Sequence, residues 1–253
     1  MKRLILLICK FTIILLSAAM VSCSVFGLSN DAERDIAILM YHDFAAENDE
    51  NPFIVSADNF DEQLSALEKA GYKAVFFSEI IDFVENGGEL PQKCVVITSD
   101  DGYRNVIDIA LPICINYEMK LSCAIIGGKV DMETHFYPDS SLNGILEITS
   151  HSYMLHDSDC ENEEMLIDID EMNKRYAEDF PMVSRVFTYP HGRSFDGEEE
   201  LLRSKGFSVT VTTEIGVAHI VRGDSESLLN LPRIPIYKNT SAEDLIEILR
   251  KNM

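Results

Sequence analysis

The sequence predicts an α/β protein built on parallel strands, as a closed barrel or an open sheet. Short apolar runs alternate with amphipathic stretches about seven times along the chain. That alternation passes through residues 35–253 without a shift in composition, so one domain is expected there. The 46% hydrophobic and 25% charged shares are ordinary for a folded protein and exclude disorder and coiled coil.

Residues 36–41, IAILMY, form an apolar run of buried-strand type. Over 57–70, Phe60, Leu64 and Leu67 recur at helical spacing, with Ser56 as the expected cap and Gly71 as the stop. KAVFF (73–77) reads as a strand and SEIIDFVENGG as a helix ending at Gly87. CVVIT (94–98) is the next strand, and the amphipathic stretch 105–118 is interrupted by Pro112. LSCAII (121–126) and ILEIT (145–149) are strands, followed by a helix with one acidic face over 161–180. RVFTY (185–189), the helix DGEEELLRSKG, the strand FSVTVTT and a last helix AEDLIEILRKN complete the order.

Residues 1–22 are a targeting segment. Lys2 and Arg3 precede an apolar run broken by Lys10, and the small residues Ser17, Ala18 and Ala19 lie near its end. Met20-Val21-Ser22-Cys23 resembles a bacterial lipoprotein cleavage box, which makes Cys23 the expected lipidated residue and residues 23–34 a tether. Ordinary secretion and an uncleaved anchor are the alternatives. Of six cysteines, Cys94, Cys114, Cys123 and Cys160 would remain in the domain. No C-x-x-C pair exists, so a zinc ribbon is excluded, and Cys94 and Cys123 open apolar runs as core thiols do.

Charge excludes a further class. With 43 acidic against 21 basic side chains the formal net charge is -22, and no Lys/Arg-rich run exists to track a phosphate backbone. No nucleic-acid partner is expected.

In parallel α/β barrels the chemistry sits where strands end, and several strand ends here carry unusual polar residues. Thr98-Ser99-Asp100-Asp101-Gly102-Tyr103 follows CVVIT. Two adjacent carboxylates are costly when both are ionised, and a cation resolves the conflict; an ordinary Asp-Gly turn is the other reading. His151 and His156, in Ser150-His151-Ser152-Tyr153-Met154-Leu155-His156, follow ILEIT. They can converge on one ion such as Zn²⁺ if the backbone turns, or stand as two surface histidines. Phe187-Thr188-Tyr189-Pro190-His191-Gly192 ends RVFTY in a tight turn able to present a backbone N–H to a substrate oxygen. Met40-Tyr41-His42-Asp43 ends the first strand, where a lone histidine is usually structural.

Taken in order, L-M-Y-H, the D-D-G, H-S-x-x-x-H, F-x-Y-P-x-G and Leu231-Pro232-Arg233-Ile234-Pro235 resemble the polysaccharide deacetylases of the NodB-homology type, carbohydrate esterase family 4. The histidine spacing and the early Tyr-His look most like the subgroup acting on poly-N-acetylglucosamine in biofilms. The resemblance covers about residues 35–250 and implies a distorted (β/α)7-type barrel. It implies Asp100 as general base, and Asp101, His151 and His156 as ligands of a divalent metal, Zn²⁺ foremost. The turn Pro190, His191 and Gly192 would hold the oxyanion, and His42 would protonate the leaving amine. The implied reaction hydrolyses N-acetyl groups on a cell-surface or extracellular polysaccharide, the expected partner. Together with the targeting segment and the Cys23 box, this gives an enzyme expected outside the bacterial cytoplasm, lipid-anchored or secreted.

Departures accompany it. Ser99 stands where the family usually has Phe, His191 where it has Tyr, and Thr188 where an Arg often precedes the turn, while no Trp exists in the chain. Arg233 is the candidate for the missing positive charge beside Asp100. O-acetyl esterase activity on xylan or peptidoglycan and a degenerate glycan-binding protein remain alternatives. The absence of G-x-S-x-G and of G-x-x-x-x-G-K-[ST] argues against a serine hydrolase and a phosphate-loop enzyme.

Overall fold

Seven parallel strands close on themselves in a computed structural model of the protein, which describes residues 32–136, 144–155, 162–179, 184–192 and 197–253. They are β1 (Glu33–Tyr41), β5 (Cys94–Ser99), β6 (Leu121–Ile125), β7 (Leu146–Ser150), β8 (Val186–Thr188), β9 (Val209–Ile215) and β11 (Leu231–Pro235). Their order around the ring is β1-β11-β9-β8-β7-β6-β5, and β5 pairs back onto β1 from Ala37↔Val95 to Tyr41↔Ser99. This is the (β/α)7-type barrel expected. Two short strands flank the ring, β4 (Lys73–Ala74) beside β5 and β10 (Ala218–Val221) antiparallel to β1. β2 (Asp43–Ala45) and β3 (Ile54–Ser56) pair apart from it.

Strand alternation divides the core. Ala37, Leu39, Tyr41, Val95, Ile97 and Cys123 pack outward in one cluster with α1 (Ala57–Lys69) and the C-terminal α6 (Ala242–Asn252). Ile36, Ile38, Cys94, Val96, Val209 and Val211 point the other way. At the start of the strands they meet α2 (Phe77–Glu85), which buries Phe77, Ile80, Ile81, Phe83 and Val84. The site described below therefore lies at the opposite end. Glu147 fixes α2 there: its carboxylate accepts the N–H groups of Phe77 and Ser78, at 2.9 and 3.0 Å, and the Ser122 hydroxyl at 2.8 Å. A carboxylate suits a helix N-terminus, where backbone donors have no partner within the helix.

The same contacts explain a departure from the sequence reading. KAVFF is strand only at Lys73–Ala74, because Glu147 captures the next donors and starts α2 at Phe77. Pro112 does not break its segment: a π-helical turn, Val106–Ala110, leads into α3 (Leu111–Asn116), where the proline occupies the first turn and no N–H is needed. Glu33 and Arg34, expected at the end of the tether, belong to β1, because β10 supplies antiparallel partners from Val221 and Ile220. The acidic helix is α4 (Asn162–Asp179), and α5 (Glu198–Ser204) follows β8. Cys94, Cys114 and Cys123 are free buried thiols, and burial pushes Cys94 up to about 11 and Cys114 up to about 12. Residues 1–31, including Cys23, and Cys160 lie outside the described residues.

Candidate active site

The C-terminal ends of β1, β5, β7, β8 and β9 surround a cavity of about 380 Å³. His42, Asp100, Asp101, His151 and His191 all line it. Four separate sequence motifs thus meet in one place.

Asp100 is fixed first by the sheet. Its N–H donates to the Tyr41 carbonyl at 3.0 Å, which extends the β1–β5 ladder by one residue and sets Asp100 beside His42. The carboxylate is buried and clamped by Arg233, whose Nη1 and Nη2 donate to its two oxygens at 2.8 Å each. Arg233 is itself 1% exposed, and its Nε donates to the Thr212 carbonyl at 2.8 Å. Burial alone would raise the Asp100 pKa, but the guanidinium more than offsets it and holds the carboxyl well below the usual carboxylate range. The candidate suggested for the missing positive charge is in contact with Asp100.

Asp101 turns out of the strand with φ 74°, and Gly102 follows at 80°. Ser152 and His191 also lie in the left-handed region, at 69° and 54°. Each such non-glycine residue costs of order 1–2 kcal/mol; of the five among the described residues, Asp101 and His191 line the cavity and Ser152 adjoins His151, while Glu118 and Asn230 lie elsewhere. His151 is buried and its Nδ1–H donates to the Thr188 carbonyl at 2.8 Å. In the neutral ring Nε2 then carries the lone pair, and it faces Asp101 Oδ1 at 3.7 Å. Two acceptor atoms at that separation fit a shared cation: donors bound at ~2.1 Å subtend about 3.4 Å at the tetrahedral angle. The imidazole-to-carbonyl bond behind is the orienting contact that metal-binding histidines make. His156, the third expected ligand, lies outside the described residues. Among the described residues no group of three or more His, Cys, Asp or Glu could hold an ion. The donor pair present fits one.

The loop after His151 is held by a carboxylate on α4. Asp168 accepts the N–H groups of Tyr153, Met154 and Leu155 at 2.6, 2.7 and 3.0 Å. His42 extends from the end of β1, its carbonyl accepting the Ser99 hydroxyl at 2.6 Å. Its ring lies 5.0 Å from that of Phe53, and its buried Nδ1 has no hydrogen-bond partner among the described residues. Pro190, His191 and Gly192 form a 3-10 turn closed by Gly192 N–H to the Tyr189 carbonyl at 2.9 Å. A Cβ at Gly192 would collide with the Thr213 hydroxyl, so the turn sits directly on β9.

Asn51, Phe53 and Thr213 also line the cavity without having been singled out in the sequence. Thr213 lies toward the end of β9, where the strand-end rule would have found it. Phe53, 42% exposed in an otherwise polar loop, carried a weaker hint.

A closed parallel barrel with an ionised carboxylate, a histidine and a carboxylate–imidazole pair at its strand ends is the framework of a barrel hydrolase. Residues 87–210 match the family model for polysaccharide deacetylase. The chain is 26% identical to YxkH of Bacillus subtilis over 196 residues, 76% of this chain and 69% of that one. It is 22% identical over 233 residues to the poly-beta-1,6-N-acetyl-D-glucosamine N-deacetylase of Escherichia coli K12, covering 74% of this chain and 34% of that protein. The fold is shared with the Streptococcus pyogenes deacetylase PplD in complex with acetate, with TM-score 0.74 and 23% identity over 85% of this chain and 97% of that one. IcaB from Ammonifex degensii follows, with TM-score 0.72 and 22% identity over 84% and 96%. The chain therefore carries a polysaccharide deacetylase domain, and it is a hydrolase acting on amide bonds. Deacetylases of this family are metalloenzymes in general.

Proposed function

We propose that the protein removes N-acetyl groups from an N-acetylglucosamine-type polysaccharide outside the cell, working from a lipid anchor on Cys23. The observation that carries this reading is that His42 and Asp100, adjacent across the β1–β5 ladder, line one cavity with Asp101 and His151. Likeness to deacetylases of poly-N-acetylglucosamine supports the choice of glycan.

Asp101 and His151, with His156, would hold a divalent ion, Zn²⁺ by its preference for nitrogen and oxygen donors. Such an ion supplies Lewis acidity, which acidifies water and polarises a carbonyl. The chain's own groups do the rest. Asp100, kept ionised by Arg233, takes a proton from the attacking water as its oxygen bonds to the acetyl carbon. Within the Pro190–Gly192 turn, the backbone N–H of His191 is the donor offered to the oxygen that gains charge, since proline has no N–H and that of Gly192 closes the turn onto Tyr189. His42 delivers a proton to the amide nitrogen as the C–N bond breaks, giving acetate and a free amino sugar.

Acetate release from N-acetylglucosamine oligomers, with and without chelation and Zn²⁺ restoration, tests the reading. Release abolished by chelation and restored by Zn²⁺ is expected. No release from a folded, Zn²⁺-restored protein would overturn it.

A further inference from the structure

Phe53 and Tyr237 form a ridge of two exposed rings at the rim of the cavity. They are 42% and 41% exposed, and their centroids lie 5.7 Å apart. Phe53 reaches inward to His42, while Tyr237 and Pro52 line a second, open cavity of about 630 Å³ with Asn239 and Thr240. The ridge thus stands between two hollows.

The ridge is also rigidly built. Phe53 N–H donates to Asn51 Oδ1 at 3.0 Å, closing an Asx turn. The Lys238 N–H donates to the Pro52 carbonyl at 2.9 Å, and Lys238 Nζ donates to the carbonyls of Asp49 and Glu50 at 3.0 and 2.5 Å. From α1, Asn59 Nδ2 donates to the Lys238 and Thr240 carbonyls at 3.1 Å each, and Gln63 Nε2 to Thr240 at 2.7 Å. Two loops far apart in sequence are stitched together to hold two apolar faces in water. Neither ring gains the burial that normally compensates such exposure, and adjacent exposed aromatics mark a binding surface.

We infer that the Phe53–Tyr237 ridge and the hollow behind it bind the units of the glycan chain next to the one being deacetylated. This rests on the function proposed above. The catalytic cavity, at about 380 Å³, is at the low end of the ~300–1,000 Å³ of small-ligand sites and has room for one sugar unit, not for a chain. A pyranose presents apolar C–H faces and a rim of hydroxyls. The rings match the faces, and the amide of Asn239 and hydroxyl of Thr240 match the rim. The specificity this produces is for polymer length: a longer chain reaches the ridge and a single sugar does not.

The test compares N-acetylglucosamine oligomers of one to five units on the wild-type protein, Tyr237→Ala and Phe53→Ala. In the wild type, kcat/KM should rise with length. In Tyr237→Ala the advantage of five units over one should shrink by about tenfold, through KM and not kcat, as loss of one stacking ring predicts. Phe53→Ala should shrink it too, with an added effect on the single sugar because Phe53 also touches His42. An unchanged length dependence in Tyr237→Ala, with acetate still released, overturns the ridge and leaves the deacetylase reading standing. Calorimetric titration of the same oligomers gives a readout independent of turnover. Affinity that grows with length and falls in Tyr237→Ala supports the ridge even if no acetate appears; absence of length-dependent affinity overturns it.

Discussion

Arg233 grips both carboxylate oxygens of Asp100 at 2.8 Å, although β1 runs between the strands that carry them. The pair is buried, with side chains 1% and 4% exposed. Attraction in so dry a place is strong, and so is the cost of losing one partner: about 3–5 kcal/mol for an uncompensated buried charge. The contact thus serves charge control and stability together.

Asp100→Asn should abolish turnover, below about a tenth of wild type, while leaving bound metal in place, since an amide cannot accept the proton. Metal analysis beside acetate release checks both halves. Arg233→Lys should keep a cation but lose the fork. The lowered native pKa of Asp100 contributes stability that is present above its unfolded value of ~3.9 and is lost as pH falls through the native value. In Arg233→Lys that loss should begin at higher pH, and the acid limb of kcat/KM should move up with it. Acid-unfolding and pH–rate curves superimposable on wild type would refute the coupling.

His42→Ala should lower the rate on N-acetyl substrates by about 10²–10⁴ and hurt an activated aryl acetate much less. An amine leaves only when protonated, whereas an aryl alcohol of low pKa does not need the proton. Equal losses on the two substrates would remove His42 from the acid role.

Gly192→Ala should damage the site without touching a titratable group. Gly192 has φ 67°, and a Cβ there meets the Thr213 hydroxyl and lies 2.9 Å from the Thr213 nitrogen. Strain of this kind costs about 1–3 kcal/mol, and the turn must shift off β9 to relieve it. A lower melting temperature with at least a tenfold loss of acetate release is expected. Wild-type values in both measurements would show that the turn accommodates the methyl.

Mass spectrometry of membrane-extracted protein should find a diacylglyceryl modification on an N-terminal fragment beginning at Cys23. An unmodified terminus starting elsewhere would disprove the anchor.

Much of this was legible in the sequence because parallel strands bury both faces and read as apolar runs, as CVVIT and LSCAI do. Leu231-Pro232-Arg233-Ile234-Pro235 was legible as a motif but not as a strand. Two prolines and an arginine argue against a central strand, yet β11 is one. It pairs with β1 at only Leu39↔Ile234 and Met40↔Pro235, its register slips against β9, and its arginine is neutralised inside the barrel. Asp100, Asp101 and His151 could be singled out because strand ends are where a barrel offers polar groups to a ligand, whereas His42, which lines the same cavity, drew attention through the family resemblance. Phe53 was not singled out, because its place beside His42 depends on Lys238 tying its loop to a segment far along the chain.

The position of β11 has a consequence for the order in which the enzyme comes into being. The ring's first strand, β1, is completed on one side by its last, β11, only a short way before the C-terminal helix. Any fragment that stops before Leu231 leaves a slot between β1 and β9 and lacks the guanidinium for Asp100. A growing chain can form the β5–β6–β7–β8–β9 arc early, since each of those strands pairs with its neighbour in sequence. Asp100, though already made, gains its counter-charge only once β11 has followed β9 and joined the ring. Assembly of the charge pair is thereby tied to closure of the ring, and a truncation that removes β11 takes the counter-charge of Asp100 with it.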